Sequence, residues 1–268
     1  MKNSILIFDS GVGGLSILRE VRERFPHTHL HYLMDTEWFP YGTREDEALS
    51  QRIVSLCDSA VIQLEPSLLI LACNTASTLA LQPLRDILNI PVVGVVPAIK
   101  VAAEQCHKNE EGDLQPQIGL LATPATVRRP YTEQLIRDFA PHCTVNCLGS
   151  SRLVELSEEF ISGRNVIPAL QQELSGWLAA HPQMQHVVLG CTHFPLLTPL
   201  LSELWPQIHW IDSGKAVAQQ AQRIFSGNPA EGDSTTSLWW TGTQRPDGAA
   251  EYLRRLGPIH TSNPLIPA

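Results

Sequence analysis

A short pattern that occurs twice constrains this chain more than any other feature of its sequence. Residues 68–76 read Leu-Leu-Ile-Leu-Ala-Cys-Asn-Thr-Ala, and residues 186–195 read His-Val-Val-Leu-Gly-Cys-Thr-His-Phe-Pro. In both segments an apolar run ends at a cysteine, Cys73 or Cys191, and residues that form hydrogen bonds follow it. Continuous apolar runs are typical of parallel strands that are buried on both faces. Because ligands of open α/β sheets bind beyond the carboxyl ends of the strands, both thiols are expected where chemistry usually occurs.

Strands alternate with helices along the chain, and this order predicts an α/β architecture with mainly parallel sheets. Each half of the chain contains one cysteine strand, so we predict two facing α/β lobes related by a pseudo-twofold axis, with the active site in the cleft between them. The first lobe is assigned to residues 1–96 and 207–268, and the second to residues 97–206. The tail is assigned to the first lobe because a chain that leaves the second lobe near the cleft has a short way back.

Composition and charge narrow the classes of function. The chain has 268 residues, of which 43% are hydrophobic and 17% charged, and its formal net charge is −8. This acidic balance argues against a nucleic-acid partner and against an anionic membrane surface. No apolar run reaches the roughly 18–20 residues of a membrane span, and the N-terminus lacks the pattern of a signal peptide. A cytoplasmic location with reduced cysteines is therefore expected.

A glycine-rich segment near the N-terminus invites a dinucleotide-binding interpretation. Gly11 and Gly13 match the start of the Gly-x-Gly-x-x-Gly pattern, but Ser16 stands where its third glycine belongs. Asp9 would also bring a carboxylate close to a bound pyrophosphate, which is unfavourable. Nucleotide binding is therefore the weaker interpretation of this segment.

Three residues come nearest to a metal-binding cluster. His142, Cys143 and Cys147 are close in sequence, but their spacing fits one face of a strand better than a zinc site. No metal site is predicted.

The roles of the polar residues at the strand ends stay open at this level. Asp9 fits a helix cap, a nucleophile or a group that binds an ammonium ion. Cys73 and Cys191 fit either inert buried cysteines or thiolates stabilised by a helix N-terminus. His193, two residues after Cys191, fits a capping or packing residue as well as a proton carrier beside the thiol.

Five motifs together resemble the aspartate/glutamate racemase family. They are Asp-Ser-Gly-Val-Gly-Gly at 9–14, Pro-Tyr-Gly at 40–42, Ala-Cys-Asn-Thr-Ala at 72–76, Leu-Ala-Thr at 121–123 and Gly-Cys-Thr-His-Phe-Pro-Leu at 190–196. The resemblance extends from Ile5 to about residue 214, and the tail after about Gly227 matches no motif. Residues 153–158 are similar to the family segment that carries an acidic residue near the second cysteine. The spacing favours Glu158 over Glu155.

The resemblance implies cofactor-independent interconversion of L- and D-glutamate, which supplies D-glutamate for peptidoglycan synthesis. Racemisation needs a base on one face of the α-carbon and an acid on the other, and two thiols on opposing lobes provide that pair. The resemblance assigns the proton of the D-enantiomer to Cys73, assisted by Asp9. It assigns the proton of the L-enantiomer to Cys191, assisted by His193 and Glu158.

The same resemblance implies which residues bind the substrate. They are Asp9, Ser10, Pro40, Tyr41, Gly42, Asn74, Thr75, Thr123, Thr192 and His193. Asp9 and Ser10 are expected at the ammonium group, and the amide and threonine hydroxyls at the α-carboxylate. The 40–42 turn, with Ser10, is expected at the side-chain carboxylate.

Glutamate is the expected small-molecule partner, and the resemblance implies neither a metal nor pyridoxal phosphate. Some members of the family respond to a cell-wall nucleotide precursor; the sequence decides neither this regulation nor the choice between monomer and homodimer. An aspartate-specific member of the superfamily is the rival enzyme, although the motif after Cys191 and the turn at Tyr41 and Gly42 favour glutamate. A two-lobed small-molecule-binding protein is the rival from a different class.

Overall fold

The computed structural model describes residues 3–109, 116–225 and 235–261. Its strands are β1 Ser4–Asp9, β2 His29–Met34, β3 Leu68–Leu71, β4 Val92–Gly94, β5 Gln117–Ala122, β6 Thr144–Gly149, β7 His186–Leu189, β8 His209–Ile211, β9 Thr236–Trp240 and β10 Ile259–Thr261. Its α-helices are α1 Leu15–Arg24, α2 Asp46–Leu64, α3 Asn74–Ile87, α4 Ile99–Asn109, α5 Pro124–Val127, α6 Pro130–Phe139, α7 Arg152–Ile161, α8 Ile167–Ala180, α9 Thr198–Leu204, α10 Gly214–Ile224 and α11 Asp247–Leu256. Within these described ranges, none of the helices combines the length and the apolar character that crossing a membrane requires.

The first of two compact units contains Met1–Val95 and Gly214–Ala268. Its six strands form one sheet in the order β10-β9-β2-β1-β3-β4, and every pair is parallel. All residues of β1 and β3 are buried, because helices cover this part of the sheet on both faces. Leu6 and Phe8 of β1 pack in one apolar cluster with Leu49 and Ile53 of α2 and Ala80 of α3.

The second compact unit contains Val96–Ser213. Its four strands form a parallel sheet in the order β6-β5-β7-β8. Ile118 and Leu120 of β5 and Val188 of β7 are fully buried and pack against α4, which contributes Ala102 and Ala103. The strands that are buried on both faces are the continuous apolar runs of the sequence, as parallel sheets require.

The predicted α/β class with parallel sheets is confirmed, and the structure adds two details. The chain returns to the first unit at Gly214 rather than at residue 207, because β8 pairs with β7 in the second sheet. Strand β10 was not predicted from the sequence, since its three residues, Ile-His-Thr, form no apolar run that marks a strand. It pairs with β9 at the edge of the first sheet.

Parallel pairing brings the carboxyl ends of neighbouring strands to the same edge of each sheet. In the first sheet Phe8 pairs with Leu71, so the residues two positions further on, Ser10 and Cys73, leave adjacent strands side by side. In the second sheet Leu121 pairs with Leu189, so residues 123 and 191 follow at matching positions. The register therefore groups the polar residues of each unit before any side-chain contact is considered.

Helix α3, which begins directly after Cys73, contains a proline in its interior. Pro83 has no N–H group, so the carbonyl of Leu79, four residues earlier, loses its intrahelical donor. The hydroxyl of Ser50 on α2 donates to this carbonyl at 3.1 Å. The hydrogen bond replaces the missing helical one and joins α2 to α3.

We expect Ser50→Ala to lower the free energy of unfolding by about 1 kcal/mol, because the half-buried carbonyl of Leu79 then lacks a protein donor. In a Pro83→Ala background, residue 83 supplies its own N–H to that carbonyl, and Ser50→Ala should cost clearly less. Urea unfolding of the four proteins of this double-mutant cycle measures the difference. If Ser50→Ala lowers the free energy of unfolding equally in both backgrounds, the Ser50 hydroxyl does not replace the missing helical donor.

Candidate active site

Cys73 lies at the junction between β3 and α3. It is the N-cap residue of α3, with extended backbone angles, and its side chain is 7% exposed. The partial positive charge at a helix N-terminus stabilises a nearby negative charge such as a thiolate. The hydroxyl of Ser10, which the register places beside it, lies 4.0 Å from the sulfur atom. The first unit thus holds a thiol that is buried, near a helix end and next to a hydroxyl.

Asp9 ends β1 and is completely buried. Its Oδ1 accepts a hydrogen bond from the N–H of Gly11 at 2.8 Å and lies 3.5 Å from the Ser10 hydroxyl, which donates to it. Asp9 does not cap α1, whose N-cap is Gly14. A polar path therefore runs from the carboxylate of Asp9 through Ser10 to the sulfur of Cys73.

The turn after Asp9 requires glycine at position 14. A Cβ atom there would lie 2.8 Å from the Cβ of Asp9 and 2.9 Å from the hydroxyl oxygen of Tyr32. Tyr32 is fully buried, and its hydroxyl donates to the carbonyl of Gly11 at 2.7 Å. Gly14 therefore serves close packing around Asp9, which gives it a role without a bound nucleotide.

Two polar residues follow Cys73 in the first turn of α3. Asn74 is 8% exposed and Thr75 is also buried. Among the described residues, no group donates a hydrogen bond to the buried Oδ1 of Asn74. Since buried polar atoms are normally hydrogen-bonded, this amide is suited to a ligand beside Cys73.

The turn at residues 40–42 lies between β2 and α2. Pro40 and Gly42 are exposed, whereas Tyr41 is 3% exposed. The hydroxyl of Tyr41 donates to Oδ2 of Asp35 at 2.8 Å. Its single proton is thus already engaged, and the backbone is the part of this turn that remains to donate to a carboxylate.

In the second unit, Cys191 follows β7 and begins a chain of three side chains. Its sulfur lies 3.8 Å from Nδ1 of His193, whose Nε2 lies 3.0 Å from Oε1 of Glu158. Cys191 and His193 are 9% and 3% exposed, and α7 carries Glu158. The arrangement joins a thiol, an imidazole and a carboxylate in hydrogen-bonding order, as in sites that activate a nucleophile or move a proton.

The surroundings of His193 control its protonation. Burial by itself lowers the pKa of the imidazole, but hydrogen bonds with the Cys191 sulfur and the Glu158 carboxylate, and the negative charges on both, raise the pKa of His193 well above its ordinary value. An imidazolium at neutral pH favours the thiolate form of a neighbouring cysteine. The second unit can therefore hold a charged His193 between the sulfur of Cys191 and the carboxylate of Glu158.

Glu155 and Glu158 are both on α7, but they differ in exposure and in partner. Glu155 forms an exposed ion pair with Arg152 at 2.7 Å, whereas Glu158 contacts His193. The structure thus brings Glu158, and not Glu155, to the residues around Cys191.

Two threonines complete the polar ends of β5 and β7. Thr192 is buried beside Cys191. Thr123 caps α5: its Oγ1 accepts the N–H of Thr126 at 3.2 Å and lies 2.9 Å from the Thr126 hydroxyl. The register places Thr123 level with Cys191 on the neighbouring strand, and the cap holds its hydroxyl in a defined position.

The described residues contain no group of three or more His, Cys, Asp or Glu side chains arranged to hold a metal ion. Cys143 is buried and Cys147 is exposed, so the two side chains lie in different environments.

Sequence reasoning missed three residues that shape the site. Asp35 directly follows β2, so the rule that placed Asp9 and Cys73 at strand ends would also have identified it. Thr126 could have been found from the Thr-x-x-Thr spacing of a helix cap. Tyr32 lies inside β2, and no local signal distinguishes it from a core residue.

Comparisons with known proteins identify the family of the chain. A sequence profile of the family described as Asp/Glu/Hydantoin racemase matches residues 15–221. The glutamate racemase of Proteus mirabilis (strain HI4320) is 47% identical over 220 residues, which are 81% of this chain and 74% of that protein. The glutamate racemase of Vibrio vulnificus (strain YJ016) is 44% identical over 238 residues, which are 88% of this chain and 86% of that protein.

A solved structure has a similar fold over nearly the whole chain. It is Escherichia coli glutamate racemase in complex with L-glutamate and the activator UDP-MurNAc-ala. The TM-score is 0.87 at 36% sequence identity, with 97% of this chain and 98% of that chain covered. The profile match spans well over half of the sequence, and the relatives are similar along most of it. The chain therefore belongs to the Asp/Glu/Hydantoin racemase family.

Proposed function

We propose that this protein interconverts L- and D-glutamate by proton transfer through two thiols, without a cofactor. One observation carries the proposal: each sheet ends in a buried cysteine whose neighbours suit acid–base chemistry. Cys73 lies beside Ser10 and Asp9, and Cys191 lies beside His193 and Glu158. The identity of the substrate is inferred from relatives that are named glutamate racemases, one of which is 47% identical to this chain.

In the proposed reaction, one cysteine lies on each face of the α-carbon of the bound glutamate. The thiolate of one cysteine takes the α-proton, and the electron pair of the broken C–H bond stays on the α-carbon. The thiol of the other cysteine then gives its proton to the opposite face, so one proton leaves and one enters. Cys73 acts on the D-enantiomer and Cys191 on the L-enantiomer. Exclusion of water strengthens the electrostatic interactions that stabilise the developing carbanion.

Neutral groups hold most of the charge of the substrate in this proposal. Asp9 and Ser10 receive the ammonium group. The α-carboxylate accepts hydrogen bonds from Asn74, Thr75, Thr123 and Thr192. The side-chain carboxylate meets Ser10 and the backbone of the 40–42 turn, since the Tyr41 hydroxyl is engaged by Asp35. Neutral donors leave the charge balance of the two thiols undisturbed.

The product suggests the role in the cell. D-Glutamate is a precursor of peptidoglycan, so we propose that the enzyme supplies cell-wall synthesis and acts in the cytoplasm. An aspartate-specific enzyme is the weaker alternative, because relatives 44–47% identical are named for glutamate. A binding protein with incidental thiols is weaker too, since it needs no thiol–imidazole–carboxylate chain.

Replacing either active-site cysteine should abolish racemisation. We expect Cys73→Ser and Cys191→Ser each to lower kcat by at least about 10²-fold, the usual contribution of one acid–base group. Circular dichroism monitors the interconversion, and NMR in D₂O monitors exchange of the α-proton of glutamate, both with a chelator present and no pyridoxal phosphate added. Cys147→Ser, which changes an exposed cysteine, is the control and should keep wild-type turnover. Near-wild-type turnover of either active-site variant would refute the two-thiol mechanism.

The alkaline limb of the pH profile should depend on Glu158. The hydrogen bond and charge of Glu158 help to raise the pKa of His193, so Glu158→Gln lowers that pKa. His193 then loses its proton, and Cys191 its counter-ion, at a lower pH, and the alkaline limb of kcat/KM for L-glutamate moves to lower pH. Glu155→Gln, on the exposed face of the same helix, should leave the limb in place. If the alkaline limb of kcat/KM is unchanged in Glu158→Gln, the protonation state of His193 does not control the reaction.

We also propose regulation by a nucleotide-linked cell-wall precursor. The support is the Escherichia coli relative, 36% identical, whose structure is described as a complex with the activator UDP-MurNAc-ala. Adding this compound should raise kcat/KM by a factor in the range of roughly 5–150, which is typical of coupling between two sites. UDP alone serves as the control. Unchanged turnover at saturating activator would show that this chain is not regulated in that way.

A further inference from the structure

Asp35, directly after β2, is a carboxylate with several hydrogen-bond donors around it. It is completely buried. Arg52 donates to both of its oxygens, from Nη2 at 2.8 Å and from Nε at 3.2 Å. The hydroxyls of Tyr41 and Thr241 donate to it at 2.8 Å and 2.6 Å. The 40–42 turn, helix α2 and the segment after β9 therefore meet at one side chain.

The backbone ties Asp35 to the catalytic edge of the sheet. Its N–H donates to the carbonyl of Asp9 at 3.0 Å, and its carbonyl accepts the N–H of Trp38 at 3.3 Å. Asp35 thus has a fixed position relative to Asp9, and the loop that leads to the 40–42 turn begins from that position.

Arg52 balances the charge of Asp35 and orders the same loop. Its guanidinium also binds Glu37 at 2.9 Å and lies over the ring of Trp38, 5.5 Å from the centroid. A bidentate contact between arginine and a carboxylate is strong and directional. Because Arg52 neutralises it, the carboxylate of Asp35 can lie near the turn without repelling a second carboxylate there.

Thr241 brings the C-terminal segment into this network. It directly follows β9 and is 1% exposed. Its hydroxyl donates to Asp35 and accepts the N–H of Glu37 at 3.1 Å. Its backbone N–H donates to the carbonyl of Met34 at 3.0 Å. The segment therefore holds both the end of β2 and the start of the loop.

We propose that Asp35 and Thr241 are positioning residues for the side-chain carboxylate of the substrate, an inference that rests on the function proposed above. The Tyr41 hydroxyl has one proton and gives it to Asp35, so it cannot also donate to the substrate. The turn then binds the carboxylate through backbone N–H groups, whose direction depends on how the Tyr41 ring is anchored. Asp35, held by Arg52 and Thr241, is that anchor.

A positioning role predicts a change in substrate binding rather than in proton transfer. The anchor orients the groups at the far end of glutamate and leaves both cysteines untouched. Loss of an interaction that is equally strong in the ground state and the transition state raises KM and leaves kcat unchanged. A purely structural role would instead lower the amount of folded enzyme, without altering the KM of the remainder.

The test compares two threonines of the same tail. Thr241→Val removes the hydroxyl from Asp35 at nearly constant volume. Thr236→Val, in β9, removes another buried hydroxyl, which accepts a hydrogen bond from Arg22 at 3.0 Å and does not contact Asp35. Thr241→Ser restores the hydroxyl. Kinetics in both directions, with circular dichroism to measure the folded fraction, give kcat and KM for all three variants.

We expect Thr241→Val to raise the KM for glutamate about five- to tenfold, as for the loss of one hydrogen bond, with kcat within about twofold of wild type. Thr236→Val and Thr241→Ser should keep the wild-type KM. An equal KM for Thr241→Val and Thr236→Val, or a fall in kcat at constant KM, would overturn the inference. Wild-type enzyme that does not racemise glutamate would instead overturn the proposed function.

A double-mutant cycle tests the route through Tyr41. Tyr41→Phe removes the other hydroxyl on Asp35 and keeps the ring. If both hydroxyls act through Asp35, the fold-increase in KM of the double variant, Tyr41→Phe with Thr241→Val, is well below the product of the fold-increases of the two single variants. Independent effects that multiply would show that the Tyr41 hydroxyl contacts the substrate directly, which contradicts the proposal.

Discussion

Parallel strand pairing is the constraint on which the rest of this structure depends. A strand that is buried on both faces has no place for polar side chains along its length, so the polar residues collect where the strand ends. Since parallel strands end at the same edge, pairing of Phe8 with Leu71 is sufficient to bring Ser10 beside Cys73. The same rule in the second sheet sets residue 123 level with Cys191. Reactive groups are thus assembled by backbone register before any side-chain contact stabilises them.

The two units surround their cysteines with different chemistry. Cys73 has a helix N-terminus, a serine hydroxyl and, one step further, the buried carboxylate of Asp9. Cys191 has an imidazole whose pKa is raised by the thiol and by Glu158. The proposed reaction does not require symmetric surroundings, because in it each thiol has only to exchange one proton with one face of the substrate. The two thiols therefore have different hydrogen-bonding partners, a hydroxyl for Cys73 and an imidazole for Cys191.

Local sequence patterns predicted much of the fold and many of the residues of the candidate site. Apolar runs marked the central strands, and hydrogen-bonding residues after them marked the positions of Asp9, Cys73 and Cys191. Short edge elements were less visible: β10 has three residues and takes its structure from pairing with β9 rather than from its own pattern. The passage of the chain back to the first unit was expected at residue 207, but pairing of β8 with β7 delays it to Gly214.

By itself, the sequence determined the α/β class, the strand ends that carry thiols and the family to which the motifs point, because each of these depends on residues that are adjacent or regularly spaced. Only the tertiary structure decided which side chains meet. Glu158 and His193 lie 35 positions apart, and Asp35 and Thr241 lie 206 positions apart. Periodicity specifies which face of an element is buried, but it contains no information on which other element supplies the partner. That choice is made when sheets and helices pack, and here it placed Glu158 beside His193 and Thr241 beside Asp35.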